Sequence, residues 1–312
     1  MQKKTFIKQY AAGLNPQQLA AVQAVHGPVL LLAVPGSGKT TVLVTRLGYM
    51  VLCCDVPPAQ ILTMTYTVAA THEMRGRFAA RFGAELAGQM TFRTINGLSA
   101  VILQYYSRVY GRRQPELLTN EGDITRMLTD IWQQVNREFP TESTLKELRT
   151  AITYIKNMAL TDEEIEGLET DLTSLPELYR RYQAALKRAG QMDYDDQMVF
   201  ALQILRAAPP VLAYFQQRYK YFCVDESQDT SKIQHEIIRL LAGRSLNLFM
   251  VGDEDQSIYG FRAAYPEALL RFSSVWPGAK TLLLEDNYRS TPEILRLAGA
   301  FRIFPQEAGE EI

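Results

Sequence analysis

AVPGSGKT, Ala33 to Thr40, closes the apolar run VLLLAV (Val29 to Val34) and opens an amphipathic stretch from Lys39 to about Met50. A buried strand, a glycine-rich turn and a helix in that order form the setting in which backbone N–H groups gather around an anion. Gly36 and Gly38 let the chain turn and aim those groups inward, and the helix N-terminus adds unpaired donors and a favourable dipole. Lys39 is expected to reach the β and γ phosphates of a nucleotide, with Ser37 in the loop and Thr40 holding Mg²⁺ through its hydroxyl. Ala33 occupies the position where the strict pattern has its first glycine.

Outward from this loop the same alternation repeats. Strands are expected at Pro28 to Val34, Ala59 to Tyr66, Tyr219 to Val224, Leu246 to Val251 and Ala279 to Glu285, with helices at Asn15 to Val25 and Ala69 to Phe82. Strand–turn–helix units of this kind predict an α/β fold, a parallel sheet flanked by helices. Between about Gln104 and Gly190 the pattern turns helical, with Thr144 to Asn157 and Leu175 to Ala189 its clearest members, and reads as an inserted subdomain. The chain has 312 residues, 47% of them hydrophobic, a net charge of −1 and a pI near 6.4, enough for a large core but with no global basic field. Cys53, Cys54 and Cys223 lack metal-ligand spacing and, with scattered His26, His72 and His235, fit a reducing, cytoplasmic setting. VLLLAV is too short to span a membrane.

Two further stretches complete the expected chemistry. YFCVDESQDT sets Asp225 and Glu226 directly after an apolar strand, Asp225 placed to hold Mg²⁺ through water and Glu226 to take a proton from an attacking water. In VGDEDQSIYGF, Gln256 follows a strand and is a candidate for sensing the γ phosphate or orienting water, with Asp253 and Asp255 in the same turn. Gln18 in LNPQQLAAV fits two roles that spacing does not separate: a brace within an early helix, or a side-chain amide reading an adenine edge. Neither a GTP-type NKxD tetrapeptide nor an LSGGQ signature is present. Tyr66, Phe92, Tyr259 and Phe261 stand near expected strand ends beside Arg93 and Arg262, a combination suited to stacking bases and meeting phosphates of single-stranded nucleic acid.

In order, LNPQQLAAV, AVPGSGKT, ILTMTYTVAATHEMRGR, TFRTINGL, DYDDQMVFAL, VDESQDTSKIQHEII, VGDEDQSIYGFRAAYPE and LLEDNYRSTPEIL make the chain resemble superfamily 1 DNA helicases of the UvrD/Rep/PcrA type over nearly its whole length. The resemblance implies a RecA-like P-loop NTPase sheet and an ATP- and Mg²⁺-dependent motor moving 3′ to 5′ on single-stranded DNA. It implies that Gln18 contacts adenine, Tyr288 stacks on it and Arg289 reaches the γ phosphate. Gln256 would couple that phosphate to DNA, and Tyr66, Arg93, Phe261 and Arg262 would line the DNA path. The expected division is a RecA-like ATP-binding domain in two segments, 1–104 and 191–280, a helical subdomain at 105–190 that meets single-strand/duplex junctions, and the start of a second motor domain at 281–312. The chain departs from the family pattern at Thr67, Val68 and Ala69, where Thr-Asn-Lys is common. It departs again at Arg93, commonly histidine, and at Thr41, commonly arginine. With no counterpart of motifs V and VI before Ile312, the expectation is ATP binding with weak or absent hydrolysis and no stepping. The alternatives are an ATP-switched interaction module that completes its site with a partner chain, and a degenerate structural module, against which the intact Lys39, Thr40, Asp225, Glu226 and Gln256 argue.

Overall fold

The structure, a computed structural model, describes residues 1–253, 264–265, 267–291, 293–294 and 296. Its strands are β1 (Val29–Ala33), β2 (Ile61–Thr65), β3 (Thr91–Thr94), β4 (Glu116–Leu117), β5 (Gln191–Met192), β6 (Tyr221–Val224), β7 (Leu248–Gly252) and β8 (Lys280–Leu284). Six of them form one sheet in the order β3-β2-β6-β7-β1-β8. Every pairing in it is parallel, as in Leu30 opposite Met250 and Leu62 opposite Phe222. Parallel pairing forces each connection to cross over the sheet, so both faces of the inner strands β1, β2, β6 and β7 are covered and these strands are largely apolar, while the edge strands β3 and β8 stay partly exposed. The five strands expected from the sequence end within two residues of their expected bounds, the trimming falling on positions such as Pro28, and on Ala59 and Gln60 of a short 3₁₀ turn; β3, β4 and β5 were not expected.

Alternation along each strand divides the core in two. Val29, Leu31, Ile61, Cys223, Phe249 and Val251 face α1 (Lys3–Tyr10), α2 (Pro16–Gln23), α3 (Lys39–Cys53), α4 (Val68–Phe82) and α5 (Ala84–Gln89). Leu30, Leu62, Met64, Phe222, Val224, Leu248 and Met250 face α6 (Ile95–Tyr110) and three later helices: α11 (Tyr194–Ala207), α12 (Pro209–Arg218) and α13 (Lys232–Ala242). Between α6 and α11 lie α7 (Glu121–Asn136), α8 (Glu142–Asn157), α9 (Asp162–Glu166) and α10 (Leu175–Ala189). These four bury a third core of their own, with Leu128, Trp132, Leu148, Ile155, Leu178 and Leu186 among its members. Short parallel β4 and β5 pair at the root of this insertion. The sheet's last strand, β8, straddles the 280/281 division drawn from the sequence, because it pairs along its length with β1. No single helix among the described residues is long and apolar enough to cross a membrane.

A buried ionic knot joins the insertion to the sheet domain. Lys156, near the end of α8, places Nζ 2.6 Å from Asp193 and 2.7 Å from Asp196, with its side chain 1% exposed. Asp193 caps α11 and also accepts a hydrogen bond from Tyr182 of α10 at 3.1 Å. Asp195 is held by Thr153 and Asn157 of α8, and burial pushes its carboxyl up from the usual range. This explains why the DYDDQ stretch carries three carboxylates: they are internal ligands for α8 and α10. Lys156→Met strands two buried aspartates, and a loss of about 3–5 kcal/mol in unfolding free energy is expected. Denaturant titration checks this; a loss below about 1 kcal/mol would place the joint elsewhere.

Candidate active site

The C-terminal ends of β1, β6 and β7 lie side by side, and the site grows from the turns that leave them. After β1 the chain runs through Gly36 and Gly38, both at positive φ (75° and 84°), into α3. Gly36 has a second reason to lack a side chain. A Cβ there would lie 2.8 Å from the Cβ of Arg289 and 2.9 Å from Asn287 Oδ1.

All five carbonyls from Val34 to Gly38 are occupied. Val34 O accepts from Ser37 N–H at 3.2 Å, Gly36 O from Tyr288 N–H at 2.9 Å, and Gly38 O from Val42 N–H at 3.0 Å. Pro35 O accepts from the Asn287 amide at 2.5 Å, and Ser37 O from the Gln18 amide at 2.9 Å. The N–H groups of Gly36, Gly38, Lys39 and Thr40 have no acceptor among the described residues. Ser37 Oγ is buried and also without a partner there. Free donors at a helix N-terminus with a cationic lysine beside them suit an anion such as a phosphate.

Two segments distant in sequence brace this loop. In α2, Asn15 and Gln18 form a reciprocal capping box, so the buried Gln18 uses Oε1 on Asn15 N–H and Nε2 on Ser37 O. From beyond β8, Asn287 Oδ1 also gathers the N–H groups of Arg289 and Ser290, both at 2.8 Å. Asn15 donates to Tyr288 Oη at 2.8 Å and Asp286 at 3.0 Å, while Gln17 donates to Glu285 at 2.6 Å. Tyr288 leaves its ring 61% exposed, and Arg289 is exposed next to it. Asn15, Gln17 and Asn287 were not singled out from the sequence. The proline after Asn15 marks a helix start, but nothing local signals a partner some 270 residues away.

Lys39 Nζ stands 3.6 Å from Glu226, at the end of β6. Glu226 adopts left-handed backbone (φ 50°), uncommon for a residue with a side chain. Its carboxylate also accepts from Gln228 at 2.7 Å, and Gln228 in turn accepts from the Asp253 N–H at 3.1 Å, tying the β6 turn to the end of β7. Burial, then the neighbouring Glu226 charge, pushes Asp225 up to about 7. The same two causes raise Asp229 to about 6. A buried carboxylate held above its ordinary range, beside a carboxylate and a lysine, is a natural seat for a divalent cation, which supplies the missing positive charge. Thr40 is half-buried at the start of α3.

The aromatic and basic residues separate. Tyr66 is half-buried past β2 and lines a cavity of about 550 Å³ with Asn96, Lys146, Arg149 and Gln234. Arg93 is exposed on edge strand β3, whereas Phe92 is buried against Phe78 at 6.0 Å. Alternation along a strand must send neighbours to opposite faces, so Phe92 belongs to the core rather than to a surface of bases. Thr67 keeps a structural task as cap of α4, its hydroxyl accepting from Ala70 N–H, and Val68 is 64% exposed beside it. Gln256, Phe261, Arg262, Asp255 and Tyr259 lie outside the described residues.

The family model described as the UvrD/REP helicase N-terminal domain matches residues 14–277. Among curated proteins, the chain is similar to the ATP-dependent DNA helicase PcrA of Leuconostoc citreum, 36% identical over 294 residues, covering 92% of this chain and 39% of that protein. PcrA of Staphylococcus epidermidis and of Staphylococcus aureus are each 35% identical, covering 91% of this chain and 39% of their own length. The chain thus spans about two fifths of the length of these relatives.

A raised Asp225 has a consequence for stability. In the cation-free protein the folded state holds a proton that the unfolded chain releases between about pH 4 and 7, so stability falls as pH rises through that window. Asp225→Asn removes that cost. With divalent cations chelated, the variant is expected to melt several degrees above the parent at pH 8 and to match it at pH 5. Equal melting at both values would mean that Asp225 is ionised at no cost to the fold.

Proposed function

This chain belongs to the UvrD/REP helicase family, and on that footing we propose that it is the N-terminal ATP-binding part of an ATP-dependent 3′-to-5′ DNA helicase or translocase. Its five occupied loop carbonyls carry the reading, because the N–H groups of Gly36, Gly38, Lys39 and Thr40, with Ser37 Oγ and Lys39, are left for a triphosphate. The assigned roles follow the geometry. Gly36, Ser37, Gly38 and Lys39 hold phosphates, while Thr40 and Asp225 hold Mg²⁺. Glu226, anchored by Gln228 and electrostatically paired with Lys39, takes the proton of an attacking water. Bound Mg²⁺ neutralises phosphate charge, which is what the acidic end of β6 cannot do alone. Tyr288, exposed and held at its hydroxyl by Asn15 and Asp286 and at its N–H by Gly36 O, offers its ring to the base, with Arg289 beside it for the γ phosphate. Gln18 serves the nucleotide by bracing Ser37 through one N–H, and its amide keeps a second N–H and a second oxygen lone pair with which to read an adenine edge. Gln256 is assigned the link from nucleotide to DNA.

Single-stranded DNA is proposed to run past Tyr66, Arg93, Phe261 and Arg262, with 105–190 meeting the duplex junction. The motor domain is taken as 1–104 with 191–280, followed from 281 by the start of a second domain. Since the relatives are more than twice as long, a second RecA-like domain, on the same polypeptide or another, is proposed to complete hydrolysis, which residues 1–312 alone sustain weakly or not at all. ATP affinity and ATPase rate, with and without single-stranded DNA, test this beside Lys39→Ala. Measurable Mg²⁺-dependent ATP binding, reduced at least about tenfold in Lys39→Ala, is expected. Binding indifferent to Lys39 would overturn the site assignment.

A further inference from the structure

Arg46 is among the largest side chains in the core, 2% exposed, two turns along α3 from Lys39, and no described carboxylate pairs with it. A buried guanidinium needs partners, and these have an unusual source. Nη1 donates to Ala24 O and, at 3.4 Å, to Ala21 O, while Nη2 donates to Val25 O at 3.3 Å. All three are carbonyls at or just past the C-terminus of α2, the end of a helix where carbonyls lack partners and the dipole is negative. The guanidinium carbon also lies 4.1 Å from the centre of the Phe249 ring on β7, and Cys223 of β6 faces it. One cation therefore touches α2, α3 and the two strands that lead to Asp225 and Asp253.

Helix α2 is the element whose opposite end carries Gln18. From Gln18 to Ala24 the helix is about 9 Å long, short enough to move as a rigid lever. Its N-terminal end is fastened to Ser37 O by one side-chain amide. We propose that Arg46 is a positioning residue for nucleotide binding: by gripping the C-terminus of α2, it keeps the Gln18 amide seated on Ser37 and so holds the phosphate loop open to its ligand. This rests on the ATP-binding reading of the loop. Arg46 touches no nucleotide and acts only through α2.

Arg46→Lys keeps a cation but not the fork that spans three carbonyls. ATP affinity is to be measured for the parent chain, Arg46→Lys, Gln18→Ala and the double variant, each confirmed folded by its melting curve. Hydrogen exchange of amides in residues 16–24 and 34–40 is followed in parallel. Arg46→Lys is expected to weaken ATP binding about five- to tenfold and to speed exchange in both segments. The double variant should bind no worse than Gln18→Ala alone, since both substitutions release the same brace. A merely structural arginine predicts multiplied losses, or unchanged affinity in a folded variant, and either result rejects the proposal. Should Arg46→Lys not fold, Phe249→Leu, which removes only the ring under the guanidinium, takes its place in the same cycle. If the parent chain binds no ATP, the ATP reading fails. The exchange comparison still decides whether Arg46 holds the loop.

Discussion

Everything in the site depends on where five consecutive carbonyls point. From Val34 to Gly38 each oxygen accepts a hydrogen bond from outside the loop or from within its own turn and α3, and this leaves the N–H groups of Gly36, Gly38, Lys39 and Thr40 without an acceptor among the described residues. A loop with its donors inward is electrostatically unfavourable without an anion, because like partial charges face each other. The partners that hold it are therefore as necessary as the glycines. They come from α2 on one side and from the segment after β8 on the other.

A second unfavourable element lies across the cleft. Asp225 is 7% exposed at the end of β6, next to Glu226, and is pushed up to about 7 chiefly by burial. Glu226 sits in backbone geometry that costs on the order of 1 kcal/mol for a residue with a Cβ. Neither feature helps the fold. Both bring carboxylate oxygens toward the lysine of the loop, and the rigid parallel sheet with apolar cores on both faces can hold them there. Cost concentrated in two adjacent turns, with stability supplied by the strands behind them, is the signature of a site rather than of a frayed sheet end.

Much of this was legible in the sequence, for definite reasons. Parallel strands buried on both faces must be apolar along their length, so VLLLAV, ILTMT, YFCV and LFMVG announce themselves. The loop requires glycine where φ is positive, and Gly36 and Gly38 comply. The features that stayed hidden depend on contacts between distant segments. Asn287 and Asn15 look like ordinary turn residues until β8 joins β1 and brings them to the loop. Arg46 looks like a polar position on an amphipathic helix, yet it is buried under α2. The three aspartates of DYDDQ prove to line a joint, Asp193 and Asp196 pairing with Lys156 and Asp195 held by Thr153 and Asn157. Phe92 belongs to the core because Arg93 does not. Period-two alternation settles which of the two faces out only once the strand's register is known.

The closing of the loop by Asn287 and Tyr288 also couples the site mechanically to the chain on the far side of β8. That strand ends at Leu284, and within five residues the chain has bonded to Pro35 O and Gly36 O. It bonds over the same stretch to Asn15 and Gln17 of the α2 segment. No slack separates the strand from these contacts. A displacement of Asn287 and Tyr288 must therefore either pull on two loop carbonyls or break the bonds to them, and a ligand that tightens the loop must resist that displacement. Reciprocity of this kind comes from linkage alone.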